Sequence, residues 1–358
     1  MAQITILGGG LTGRLMAFLL AEQQHSVTLY EQGGKDGNLS AAFVAAAMLA
    51  PMAEAVDATP QVLQLGYQSL DLWKQIINRL PEPVFMQFSG SLIVWHAQDS
   101  DISRRFAQQL KRGNGGREVW TNWNENDIAD NEPQLGGRFT QGFYLPTEGQ
   151  LDNRQTLIAL ANAIENMGVK CHWNSTISMQ DISADWVIDC RGFGAKADWN
   201  KGKSKLRGIR GEVARVFAPE ITLNRPVRLL HPRYPLYIAP KENHIFVIGA
   251  TQIESEDESP VSVRSGLELM SSLYAVTPAF GEARILELAT NLRPTLDHHD
   301  PEIRVDTNKK ILSINGLFRH GFMIAPAVCL AANRILTNTL NGQAIEQDKE
   351  TGITPVIS

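Results

Sequence analysis

Ile4-Thr5-Ile6-Leu7-Gly8-Gly9-Gly10-Leu11-Thr12-Gly13, running on into Leu15-Met16-Ala17-Phe18-Leu19-Leu20-Ala21, decides the fold. The β-branched run reads as a buried strand, the glycines as a tight turn and the second apolar run as a buried helix. Ser26-Val27-Thr28-Leu29-Tyr30 supplies a second strand, so the unit is β-α-β with parallel strands. Gly8, Gly10 and Gly13 match G-x-G-x-x-G in the strand–turn–helix setting that the motif requires. Gly8 permits the turn, Gly10 lets a pyrophosphate approach the backbone, and Gly13 permits close helix–strand packing. The helix start, with Leu11 and Thr12, offers N–H groups and positive dipole to phosphates. Glu31 follows 18 residues after Gly13, with Gln32 beside it. A carboxylate there accepts from ribose hydroxyls and argues against a 2′-phosphate.

Working outward, small residues dominate Ser40 to Ala50, and such a stretch can press its backbone against a flat group. Helical periodicity covers 60–80, through Val62, Leu63, Leu65, Leu70, Trp73, Ile76, Ile77 and Leu80. Residues 84–96 alternate like strands. Asp152 is placed to cap a helix over 156–166, and Trp186 to Cys190 reads as a buried strand. Hairpin-like pattern fills 206–255, a helix is expected over 266–276 and a strand over 285–292. The end reads as strand Ile311 to Asn315 and helix Ala327 to Leu340. Parallel β-α-β character thus alternates along the chain with antiparallel character, which predicts two interleaved domains. A nucleotide motif at the start, with the rest of its sheet arriving only near 190 and 311, suits a long FAD molecule lying across one domain.

The 358 residues are 43% hydrophobic and 20% charged, enough for a large core. Lys and Arg number 33 against 38 Asp and Glu, a net charge of −5, which speaks against a nucleic-acid partner. Cys171, Cys190 and Cys329 form no C-x-x-C pair, and an odd count suits a reducing compartment. No apolar run is expected to reach membrane-spanning length, and no signal peptide is apparent, so the expectation is a cytoplasmic protein without a membrane partner. No metal site is expected: His298 and His299, with Asp297 and Asp300, are loop neighbours that rarely converge on one ion.

Seven segments occur in an order that resembles the glycine oxidase/D-amino-acid oxidase family of FAD-dependent amine oxidases, and within it the thiamine-biosynthesis branch. They are the N-terminal glycine motif; Ala45 through Glu54; Pro146-Thr147-Glu148-Gly149-Gln150-Leu151-Asp152-Asn153-Arg154; Arg210-Gly211-Glu212; Tyr237-Ile238-Ala239-Pro240 with Ile248-Gly249-Ala250-Thr251; Leu292-Arg293-Pro294; and Phe318 through Pro326. The resemblance implies an α/β fold in which a Rossmann-like FAD-binding domain (1–80, 140–205 and 305–345) is interleaved with an antiparallel-sheet substrate domain (81–139 and 206–304).

It further implies that Gly8, Gly10, Gly13 and Glu31 hold the ADP half of FAD, and that Ala46, Ala47 and Met48 line the flavin. Ile177 would lie near adenine, and Cys190, Arg191 and Gly192 would close over the pyrophosphate. His320, Gly321, Phe322 and Met323 would meet the pyrimidine side of the flavin, with a helix beginning near Pro326 aimed at it. For substrate, Arg293 would fork onto a carboxylate, Tyr237 would donate to the same group, Gln252 would face the substrate and Arg319 would be a second carboxylate ligand. The implied reaction is oxidation of a small amino acid such as glycine or sarcosine by hydride transfer to flavin N5. Oxygen is the final acceptor, giving an imine and peroxide. An alternative within the fold is a maturation flavoprotein that oxidises a tryptophan side chain of a protein client during tryptophylquinone assembly. A homo-oligomer is compatible with either. Ala47 stands where relatives have glycine, Phe43 where they often have tryptophan, and the stretch 295–303 lacks their glycine.

Overall fold

The computed structural model describes residues 1–232 and 236–357. Strand Gln3–Leu7, helix Leu11–Glu22 and strand Ser26–Tyr30 form the expected unit. Gln3–Leu7 lies inside a seven-stranded sheet ordered 356–357, 302–306, 311–315, 186–189, 3–7, 26–30, 170–172. Its neighbours on both sides are parallel to it. Four of its five residues are buried, as expected for a strand covered on both faces.

A second, eight-stranded sheet is ordered 284–296, 206–217, 245–249, 236–240, 227–230, 91–95, 141–145, 121–124. It is antiparallel except where 227–230 meets 91–95. Strand Gln141–Leu145 therefore belongs with this sheet and Glu302–Asp306 with the seven-stranded one. Three short strands, Met48–Leu49, Gly149–Leu151 and Met86–Gln87, pair between the two large sheets.

Several boundaries differ from the sequence pattern for local reasons. Strand Ser91–Trp95 is buried at all five positions. Leu92 and Val94 join one core while Ile93 and Trp95 join another under helix Ser100–Gly113, so exposure does not alternate. Helix Val263–Val276 begins early because the Ser262 hydroxyl accepts the Ser265 N–H. Asp152 caps helix Asn153–Asn166 as expected, accepting from the N–H groups of Arg154 and Gln155.

The largest difference is the last helix, which runs Gly321–Leu340 and carries Pro326 inside it. Proline has no N–H for the carbonyl four residues back. The Trp73 indole supplies that donor instead, 2.6 Å from the Phe322 carbonyl oxygen. Trp73 is fully buried in helix Pro60–Ile77, the helix with the predicted apolar stripe. Residues 318–340 are, contrary to expectation, long and apolar enough by composition to cross a membrane. They form a core helix packed on helices 11–22 and 60–77, and two-thirds of the stretch is buried in the protein.

Candidate active site

The glycine turn opens on the carboxyl end of the parallel strands. A Cβ at Gly13 would fall 1.8 Å from the Gly8 carbonyl oxygen, so helix and strand meet here only because position 13 is glycine. Above Gly10, in contrast, the nearest heavy atom to a Cβ would be Ser40 Cβ at 3.5 Å, which leaves its backbone open to a ligand. Glu31 holds the loop: it accepts the Gly9 N–H at 2.5 Å and the Gly33 N–H at 2.7 Å. Arg14, fully buried, donates from Nε to the Gly9 carbonyl at 2.6 Å and stacks on Trp173. Nothing in the motif marks Arg14 in advance, because arginine on a helix normally reads as surface.

A cavity of about 740 Å³ runs from this turn to the antiparallel sheet. Gly8, Gly10, Leu11, Thr12, Glu31 and Gln32 line one end. Ala46, Ala47 and Met48, Cys190 to Gly192, and His320 to Met323 line its length. Arg293, Tyr237, Gln252 and Arg319 line the far end. Gly13 sits beneath the turn rather than on the cavity, and Ile177 does not line it. The Arg191 guanidinium is engaged by Asp189 at 2.7 Å and Asp198 at 3.0 Å, and does not reach freely toward a pyrophosphate.

The far end follows from strand register. Arg228 pairs with Tyr237, Tyr237 with Gly249, Gly249 with Val213, and Gly211 with Asn291. Directly opposed residues share a face, and residues two apart share it too. Arg228, Tyr237, Val213, Gly211, Asn291 and Arg293 therefore all look into the cavity from one sheet face. The glycines make room: a Cβ at Gly211 would fall 2.3 Å from Arg293 Cζ, and one at Gly249 would fall 2.6 Å from the Tyr237 hydroxyl oxygen. The opposite face packs Ala214, Val216, Ile238 and Ile248 against Leu269 and Leu273 of helix 263–276.

Arg293 Nη1 donates to the Thr251 carbonyl at 3.0 Å, and among the described residues no carboxylate lies within 4 Å of its guanidinium. Thr251 is itself fixed, since its hydroxyl lies 3.0 Å from Glu212 Oε2 and Glu212 is paired with Arg210 at 2.7 Å, both nearly fully buried. Burial lowers the Arg293 pKa and raises that of Tyr237. Gln252 is exposed, at the rim of the cavity.

Arg319 is differently placed from Arg293. It is ion-paired with Glu54 at 2.9 Å and Asp57 at 3.1 Å. Glu54 also takes Arg228 at 2.5 Å and lies 3.5 Å from His320 Nδ1. Burial pushes His320 down to about 4, so it is neutral near pH 7. Glu54 and Arg228 were not singled out from the sequence: one closes an alanine-rich run and the other sits in an ordinary strand. His298 pairs with Glu302 and Asp300 with Thr59, so this loop's side chains go to separate partners.

A glycine turn with an acid at the next strand end, opening through one long cavity onto a guanidinium-bearing antiparallel sheet, defines an FAD-dependent oxidoreductase. The family model for FAD dependent oxidoreductases, DAO, matches residues 3–333, and the chain belongs to that family. A thiamine biosynthesis oxidoreductase, ThiO, of Rhizobium etli is 38% identical over 94% of this chain and 97% of its own length. A glycine oxidase of Geobacillus kaustophilus is 24% identical over 90% of this chain and 89% of its own. The crystal structure of that species' glycine oxidase superposes with a TM-score of 0.81 over 99% of both chains at 20% identity. The iminodiacetate oxidase of Chelativorans sp. BNC1 superposes with 0.80, also over 99% of both, at 17% identity. The protein is accordingly an FAD-dependent enzyme of the amino-acid oxidase type. None of these similarities supports the tryptophylquinone-maturation reading.

The cavity fits FAD. The open backbone over Gly10 beside the Glu31 carboxylate would take its nucleotide end, and the walls at 46–48 are small and apolar. The first turn of helix 321–340 borders it where a flavin would need positive dipole.

Proposed function

We propose that the protein oxidises a small α-amino acid, with glycine or sarcosine as the leading substrate. The observation that carries this reading is Arg293: a half-buried guanidinium on the cavity wall, fixed by Thr251 and not paired with a carboxylate of the described residues. A guanidinium in that state binds a substrate carboxylate through two parallel N–H donors. The Tyr237 hydroxyl, on the same face, adds a third donor. Three donors on one carboxylate restrict its rotation and so orient the Cα, which is where much of the rate gain in such a reaction comes from. The buried Arg210–Glu212 pair and Thr251 keep Arg293 from swinging away. His320, neutral at physiological pH, adds no positive charge that would repel an ammonium group.

FAD, when bound, supplies the two-electron acceptor at N5 and passes the electrons to oxygen, giving hydrogen peroxide. The residues already assigned to the turn, 46–48, 190–192 and 320–323 would hold it. We assign residues 1–80, 146–205 and 302–357 to the FAD-binding part and 81–145 and 206–301 to the substrate-binding part, following the sheets.

The test is the absorption spectrum of purified protein mixed with glycine or sarcosine without oxygen. Bleaching of the flavin bands, followed by peroxide on readmitting air, is the expected result. Arg293→Ala should lower kcat/KM at least a hundredfold; unchanged kinetics in that variant would remove its assigned role.

A further inference from the structure

Three guanidiniums line the substrate end of the cavity: Arg228, Arg293 and Arg319. Two of them are already neutralised. Glu54 takes Arg228 on Oε1 at 2.5 Å and Arg319 on Oε2 at 2.9 Å, and Asp57 adds a second carboxylate to Arg319 at 3.1 Å. Only Arg293 faces the cavity without such a partner among the described residues. Within the cluster of Arg228, Arg293, Arg319, Glu54 and Asp57, three positive charges stand against two negative, which leaves room for one carboxylate. A second carboxylate would find no free cation and would approach the Glu54 charge, in a partly buried setting where like charges are weakly screened.

We propose that Glu54 is a specificity-determining residue that confines this cavity to substrates with a single carboxylate, by holding Arg228 and Arg319 out of substrate binding. This rests on the reading of Arg293 as the carboxylate ligand. Glu54 lines the cavity and acts in two ways, by occupying the two arginines and by repelling a second carboxylate. Its side chain is only 14% exposed, and the arginines reach it from a strand of the substrate sheet and from the turn before the last helix. The arrangement is thus assembled only in the folded protein.

The experiment compares glycine with iminodiacetate, a dicarboxylate amine, as reductants of the holoenzyme, and acetate with malonate as non-reacting ligands read by perturbation of the flavin spectrum. In the wild type, glycine should exceed iminodiacetate at least a hundredfold in kcat/KM, and acetate should bind at least as tightly as malonate. Glu54→Gln removes the charge and keeps an acceptor; it should cut the glycine preference at least tenfold and tighten malonate binding. Glu54→Asp should restore the wild-type preference, and Asp57→Asn, at an exposed position, should move it much less than Glu54→Gln. An unchanged preference in flavin-loaded Glu54→Gln overturns the proposal. So does a wild type that binds malonate more tightly than acetate, a result that needs no variant to fold. If no amine reduces the flavin, the proposed function fails, while the acetate and malonate titrations still decide the role of Glu54.

Discussion

The guanidinium of Arg293 lies flat on the backbone of Gly211, with 2.3 Å between its Cζ and the position a Cβ at 211 would take. The two residues sit on adjacent strands of the same sheet face, two positions apart in register. Gly211→Ala should therefore displace the end of a flexible side chain rather than the backbone. The expected outcome is a tenfold or greater rise in KM for the amino acid, with a melting temperature within a few degrees of wild type. Steady-state kinetics with a thermal melt checks both halves.

Ala47 lines the cavity with φ of 52°, a left-handed conformation that penalises any side chain with a Cβ by about 1–2 kcal/mol. Glycine there relieves this, at some cost in unfolded-state entropy. Ala47→Gly should stabilise the protein by about 1 kcal/mol, read as a higher denaturation midpoint with unchanged slope.

Glu148 is fully buried, accepting the Ala53 N–H at 2.7 Å and bonded to the Ser91 hydroxyl. Burial raises its pKa from 4.5 to about 7. Between those values the folded state keeps the proton and the unfolded state has lost it. The folded state binds more protons there, so stability falls as pH rises from about 4.5 to about 7. Glu148→Gln should flatten that part of the stability–pH curve. Denaturant midpoints at pH 5, 6 and 7.5 for both proteins measure it.

Trp73 and Pro326 are coupled through one carbonyl, that of Phe322. Trp73→Phe removes its donor and should cost about 1–3 kcal/mol. Pro326→Ala returns a helical N–H to the same oxygen, so the double variant should lose less than the sum of the singles. A double-mutant cycle in urea gives the coupling directly; simple additivity would show that the indole and the proline act separately.

Lys241 is buried at the end of the strand that carries Tyr237. Its ammonium donates to the Ala46 carbonyl at 2.9 Å, the Leu151 carbonyl at 2.8 Å and Gln150 Oε1 at 2.9 Å. It thereby ties the substrate sheet to the 46–48 wall. Lys241→Met should weaken FAD binding at least tenfold, measured by fluorescence of released flavin, and Lys241→Arg should recover part of it.

The glycine turn and the acid beside it were legible in the sequence because their parts are local. Gly8, Gly10, Gly13 and Glu31 sit within one β-α-β unit, where spacing along the chain dictates spacing in space. Glu54 and Arg228, by contrast, stand 174 residues apart. Nothing near either one marks it as charged and buried. The same holds for Trp73 and Phe322, whose bond explains how a helix can start at Gly321 and continue through Pro326.

The family resemblance is what singles out Arg293 for a carboxylate; the residues alone declare a parallel nucleotide-binding unit and an antiparallel insertion. Short-range geometry and hydrophobic period carry that much. Which arginine stays free was decided by tertiary structure only. Pairing of charges is a matter of distance across the fold, and it was the packing of strand 227–230 and the turn at 318–320 onto Glu54 that occupied two guanidiniums and left Arg293 to the cavity.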